Sequence, residues 1–400
     1  MKDKKKNYDQ KTLLAHSGRD RRFTQGAVNI PPYRASTVLF ETLEEYNSWD
    51  KQFKSFRYGR LGSPNSLALE QAYSEITGAY RSIATSSGMS AINIAVSAFL
   101  GRGDHALVTE GCYEPAAELF NQYLTKFDID VDFFSPTIGA SIADLILPTT
   151  KIVYLEAPSS VTFEIPDIEL VISSIRERSK EIGIEITIIF DNTWAGPLYF
   201  KSLDFDIDIE VQAATKSVVG HSDAMLGLVA CTKHTYQKVK NCSRYQGVSV
   251  GPDTCYLGLR GLRTMGLRME AQYKNAKKIA EWLNQQKIVK EVFYPPVSFS
   301  KFHENWSKTF SGGGSLMSMV LDQTYAQSAL AAFLDDMNLF GMGYSYGGYE
   351  SLLTPCRLQN QRISETEDFD QTMLRLYIGL EDINDLIEDL DNGFQRLMSH

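Results

Sequence analysis

The middle of this chain predicts an α/β protein built on a mostly parallel sheet, with a smaller α/β domain after it. Short β-rich runs, HALVTE at 105–110, DVDFF at 130–134, KIVYLE at 151–156 and ITIIFD at 186–191, alternate with longer segments of helical spacing. Apolar strands separated by helices belong to a sheet covered on both faces. After about residue 257 the pattern changes to long helices and shorter strands, SLMSMVL at 315–321 and LRLYIGL at 374–380.

Residues 1–60 hold scattered aromatics and turn formers (NIPPYRAST, FRYGRLGSPNS) without sustained periodicity, so they read as an extended arm that needs a surface to lie on. Residues 61–256 carry the alternating pattern; Ile168, Val171, Ile172 and Ile175 mark one of its helices. Residues 257–400 form the smaller domain and close on a helix whose stripe is Ile383, Leu386, Ile387, Leu390, Phe394 and Leu397, with Asp and Glu expected on the other side. The three glycines at 312–314 follow no strand in a suitable βαβ setting and read as a flexible connection.

Composition excludes several functions. With 43% hydrophobic and 22% charged residues in 400, the chain is an ordinary globular protein, and its net charge of -9 offers no field to a polyanion. The one dense basic run, KDKKK at 2–6, sits at a terminus. Neither nucleic acid nor membrane is expected as a partner, because no window approaches the roughly 18 apolar residues of a span and no apolar core follows the charged start. The expected setting is the cytoplasm. Five scattered cysteines without a CxxC pair indicate neither a disulfide framework nor a structural zinc site.

Ligands of parallel sheets bind at the carboxyl ends of the strands, and the runs at 151–156 and 186–191 end in acids, Glu156 and Asp191. Ser86, Ser87 and Gly88 precede an apolar run of helical length, which makes a phosphate cradle, although a Ser-Gly helix start on its own is more often an ordinary cap. Asp191, in FDNTWAGPL, stays ionised at a buried strand end only if a cation or several donors meet it. A metal ion lacks further ligands at suitable spacing, since His221 and Asp223 have no His or Cys near them. Lys216 follows Asp191 by 25 residues, in QAATKSVVGHSDAMLG. A desolvated lysine of lowered pKa is what Schiff-base chemistry requires. Cradle, strand-end acid and lysine in this order suit pyridoxal phosphate.

These motifs, with YGRLG at 58–62, EGCYEP at 110–115 and LEAPSS at 155–160, resemble the Cys/Met-metabolism family of pyridoxal-phosphate enzymes, from about residue 11 to the end. YSYGGYESL at 344–352 and LRLYIGLEDINDLIEDLDNGF at 374–394 are most similar to its cystathionine β-lyase branch. The resemblance implies a fold-type-I (aspartate-aminotransferase-like) architecture and carbon–sulfur β-elimination on a small amino-acid substrate. It further implies that Lys216 carries the cofactor aldehyde, Asp191 pairs with its ring nitrogen and Tyr113 stacks on its face. Ser87, Gly88, Met89 and Thr215 would hold the phosphate. Tyr58 and Arg60 would reach over from a neighbouring subunit of a homotetramer, and Ser345, Tyr346 and Arg375 would form the substrate side. Two departures stand out: Ala213 where much of the family has Ser, and Tyr346 where the β-lyase pattern has Trp.

Taken singly, Tyr113 also reads as a half-exposed aromatic and Arg375 as the ion-pair partner of an acid near 381–391. His221 reads as structural, a hydrogen-bonding residue of the GHSD turn. The alternatives within the family are γ-elimination, γ-replacement and cysteine desulfhydration; outside it stands a catalytically silent scaffold. The γ-acting relatives tend to carry an acid near 344–346, which this chain lacks.

Overall fold

The computed structural model describes residues 8–48, 56–356 and 371–399. Its larger sheet has seven strands: β1 (Arg81–Thr85), β2 (His105–Thr109), β3 (Asp130–Phe134), β4 (Thr150–Glu156), β5 (Thr187–Asp191), β6 (Ile209–Gln212) and β7 (Gly227–Cys231). They lie in the order β1-β7-β6-β5-β4-β2-β3. All neighbouring pairs are parallel except those of β7, which runs against β1 and β6. Six strands therefore share one direction, and Thr85, Glu156, Asp191 and Gln212 finish along one edge.

The apolar runs explain why this sheet is an interior. Along β5, Ile188 and Phe190 enter one core cluster while Ile189 enters another on the opposite face, and all are buried. The first of these clusters continues into the second sheet through Met317, Met319, Leu374 and Leu376. That sheet is antiparallel throughout, in the order β10-β11-β9-β8, with β8 at Val289–Phe293, β9 at Leu316–Leu321, β10 at Leu352–Cys356 and β11 at Met373–Tyr377. The helix Pro252–Leu283 crosses the point at 256–257 where the sequence changes character and packs on both regions.

Three local outcomes differ from the sequence reading. Gly312–Gly314 is no flexible connection: a Cβ on Gly313 would stand 2.6 Å from the Trp194 ring and one on Gly314 would stand 2.4 Å from the Trp194 carbonyl, so the bare backbone packs against that indole. In the last helix, Ile383–Met398, Asp389 is buried rather than solvated and accepts the N–H groups of Asn338, Leu339 and Phe340. A buried carboxylate is tolerable there because three donors meet it. The arm contains the short helices Gln10–His16 and Leu43–Asn47, and Leu39, Leu43 and Tyr46 along it stand exposed.

Candidate active site

Lys216 lies just beyond β6, in a wide helical turn at Thr215–Val219, with φ −75° and ψ −114°, away from the helical region. The turn is held from behind by the long helix, where buried Arg268 donates to the Ser217 carbonyl (2.9 Å) and, within its own helix, to the Gly261 carbonyl (2.7 Å). From the front, the 344–348 segment lies directly on the lysine backbone. A Cβ on Gly347, at φ +97°, would stand 2.5 Å from the Lys216 Cα, so only glycine fits. Four residues on from Arg268, on the same helix face, Gln272 donates to the Gly348 carbonyl (2.7 Å) and the Tyr377 hydroxyl (2.8 Å). One helix thus braces both sides of the lysine.

The Lys216 Nζ donates to the Ser345 hydroxyl and lies 4.9 Å from the centre of the Tyr346 ring. Burial lowers its pKa from 10.5 to about 8; the Arg375 guanidinium pushes it further down, and Asp191 opposes. Ser345 adopts φ +78°, a left-handed conformation that is strained for a residue with a Cβ, and its hydroxyl accepts from the amine.

Asp191 ends β5 in register with Glu156 on β4 and Val211 on β6. Burial raises its pKa, while donors from Thr193 and Tyr154, and the charge of Lys216, hold it back. The Thr193 N–H meets Oδ1 at 2.9 Å and the Tyr154 hydroxyl meets Oδ2 at 3.3 Å. Thr193 also accepts the Ala213 N–H at 2.8 Å, which ties the carboxylate to the chain leading to Lys216.

On the other side of β6, β1 feeds the helix Gly88–Ser97. Ser87 caps it by accepting the Ser90 N–H at 3.1 Å, and the first-turn amides of Gly88 and Met89 have no acceptor within the helix. Gly88 packs on Ala213 so closely that an added Cβ would stand 2.7 Å from the Ala213 methyl, which brings this anion-suited helix start against the turn carrying Lys216. The Thr215 hydroxyl is engaged by Leu226, donating to its carbonyl (3.1 Å) and accepting its N–H (2.8 Å).

Arg375 occupies the middle of β11, between Ser318 on β9 and Thr354 on β10. It makes no hydrogen bond or ion pair with a described residue, although its charge reaches Lys216, Tyr113 and Tyr346. Tyr113 is 46% exposed; burial and then Glu156 raise its pKa, and Arg375 opposes them.

Tyr58 and Arg60 lie elsewhere within the chain. Tyr58 bridges to Thr37, and Arg60 donates to the Arg244 carbonyl at 3.3 Å. His221 donates from Nδ1 to the Val219 carbonyl, 2.7 Å away, as a turn residue does. Among the described residues no group of three His, Cys, Asp or Glu side chains is arranged to hold a metal ion. Two functional neighbours escaped the sequence reading. Tyr154 and Thr193 reach Asp191, and the signal that could have found Tyr154 is its place two residues before Glu156, on the same strand face.

An amine that loses its proton near pH 8, a strand-end carboxylate that a cation would keep ionised and a helix start suited to phosphate are the requirements of pyridoxal-phosphate chemistry. The residues therefore fit that cofactor. The sequence profile of the Cys/Met metabolism PLP-dependent enzymes matches residues 11–395, and the chain belongs to that family. It is 38% identical over 403 residues to the cystathionine beta-lyase MetC of Escherichia coli (strain K12), covering 100% of both chains. It is 37% identical to the cystathionine beta-lyase of Haemophilus influenzae, over 98% of this chain and 99% of that one. Among solved structures, the cystathionine gamma synthase of Xanthomonas oryzae pv. oryzae in complex with cystathionine superposes with a TM-score of 0.88 at 29% identity, over 98% of this chain and 100% of that one.

Proposed function

We propose that this chain is a carbon–sulfur lyase that cleaves L-cystathionine by β-elimination to homocysteine, pyruvate and ammonia, a step towards methionine. The observation that carries the reading is the Arg375 guanidinium, which has no partner among the described residues and whose charge reaches the Lys216 amine and Tyr346, together with a 344–346 segment without an acid. A fork of N–H donors suits the α-carboxylate of an amino acid.

Pyridoxal phosphate, when bound, supplies the electron sink that acidifies the substrate Cα proton. Gly88 and Met89 amides with the Ser87 cap would hold its phosphate; Thr215 would join them by giving up its bond to Leu226. Asp191 would keep a proton on the ring nitrogen, and Tyr113 would cover the ring face. Lys216, the residue for the aldehyde, takes the Cα proton as a neutral amine and returns one to the departing sulfur. Ser345 orients that amine, and Tyr346 limits the space beside it. In balance, the Cβ–S bond breaks with its electron pair on sulfur, the thiolate gains a proton, and the three-carbon remainder takes up one water to leave as pyruvate and ammonia.

Tyr58 and Arg60 would complete the site of a neighbouring subunit in a homotetramer; the exposed Leu39, Leu43 and Tyr46 of the arm support such a contact. No described helix is long and apolar enough to cross a membrane, and the five cysteines are free.

The decisive test is product identity from L-cystathionine. Pyruvate with homocysteine is the expected outcome. 2-Oxobutyrate with cysteine would move the chain to γ-elimination, and turnover of cysteine alone would make it a desulfhydrase. A colourless protein after cofactor addition would leave only a silent scaffold.

A further inference from the structure

Glu156 is another acid at the rim of the large sheet, and no step above uses it. It is directly in register with Asp191 on the adjacent strand, so two carboxyls stand side by side where one suffices for a ring nitrogen. Glu156 has a different partner: its Oε2 accepts the backbone N–H of Tyr113 at 2.8 Å. That N–H opens the helix Glu114–Glu118, for which Tyr113 is the N-cap residue with no side-chain cap of its own. Tyr113 is about half in solvent, so packing constrains its direction only in part.

We propose that Glu156 is a positioning residue for Tyr113: by accepting the Tyr113 N–H it sets the direction from which the phenol ring approaches the space between Asp191 and Lys216. This rests on Tyr113 being the residue that covers the cofactor ring. The protonation of Glu156 is consistent with the role. Burial, and then the charge of Asp191, push it well above the ordinary carboxylate range, while the bond from Tyr113 works the other way. A neutral carboxyl still accepts an N–H through its carbonyl oxygen, and it leaves Asp191 as the one charged acid facing a ring cation. Glutamine is the isostere of that neutral form. Aspartate keeps the carboxyl but falls one methylene short of a 2.8 Å contact.

The test compares Glu156→Gln, Glu156→Asp and Tyr113→Ala as holoenzymes. The readouts are the visible circular dichroism of bound pyridoxal phosphate, which reports ring orientation, and the dissociation constant of the cofactor. The expected result is that Glu156→Asp loses visible ellipticity and releases cofactor about tenfold more readily, the scale of one lost hydrogen bond, while Glu156→Gln stays near wild type in both. If Glu156→Gln is as impaired as Glu156→Asp, the carboxylate charge acts and not the N–H contact, and the proposal is overturned. If Glu156→Asp keeps the ellipticity and affinity of wild type while only its melting temperature falls, the role is structural and the proposal is likewise overturned. An unchanged signal in Tyr113→Ala would instead remove the reading of Tyr113 itself, which separates the two failures.

Discussion

The two sheets contribute to one site by different means. In the large sheet, six strands share a direction, so every strand end delivers a residue to the same edge without special backbone: Ser87 after β1, Glu156 and Asp191 at the ends of β4 and β5, Lys216 after β6. The antiparallel small sheet has no common edge. Its contributions come from mid-strand, as Arg375 does between Ser318 and Thr354, or from a turn bent into the left-handed region, as at Ser345 and Gly347. The parallel rim supplies the groups that would hold the cofactor, and the small sheet supplies those that would read the substrate.

That division predicts separable failures. Lys216→Ala should reduce kcat/KM by at least about 10⁴-fold and abolish visible absorption after cofactor addition, while far-ultraviolet circular dichroism stays that of a folded protein. Retained colour would mean that the rim of the large sheet is not the site. Asp191→Asn, which cannot keep a ring proton by charge, should lower kcat by about 10² to 10³-fold in steady-state assays, with a shifted visible spectrum. Arg375→Ala should raise KM about 100-fold and leave the visible spectrum in place. A spectral change as large as that of Asp191→Asn would erase the distinction between the two sheets.

Smaller effects sharpen the comparison. Gly347→Ala, with φ +97° and the Lys216 Cα 2.5 Å from the new methyl, should cost about 1–3 kcal/mol in thermal or urea unfolding. An alanine at the strand-end residue Gln212, by contrast, meets no such backbone limit.

The smallest expected effect is in pH. Lys216 titrates at about 8 in the folded protein against 10.5 in the unfolded chain, so between these values the unfolded chain binds more protons and stability rises with pH. The urea stability of cofactor-free wild type, less that of Lys216→Met, should therefore climb by on the order of 1 kcal/mol from pH 8 to 10. A flat difference would mean that the lysine is not desolvated.

Much of the parallel region was legible because its strands are buried on both faces and read as apolar runs between helices; β2, β3, β4 and β5 lie where those runs stand. Asp191 and Lys216 were legible because their order along the chain follows adjacent strands. β7 was less so, since an antiparallel strand inside a parallel sheet has no distinct composition. Gly312–Gly314 misled because glycine marks a flexible link and a tight approach equally, and the packing of Tyr199 and Trp194 distinguishes them. Asp389 misled because its three backbone donors lie about fifty residues earlier in the chain.

The sequence by itself determined the alternation of strands and helices, the strand-end acids, the lysine and the arginine, because periodicity and residue type are local properties. Tertiary structure alone decided that Glu156 faces Asp191 in register, that Tyr113 hangs from Glu156 by its N–H, and that Arg268 and Gln272 brace the lysine from one helix. Register, burial and hydrogen bonding between distant segments depend on how the elements pack, and packing is a property of pairs of segments that neither segment carries alone.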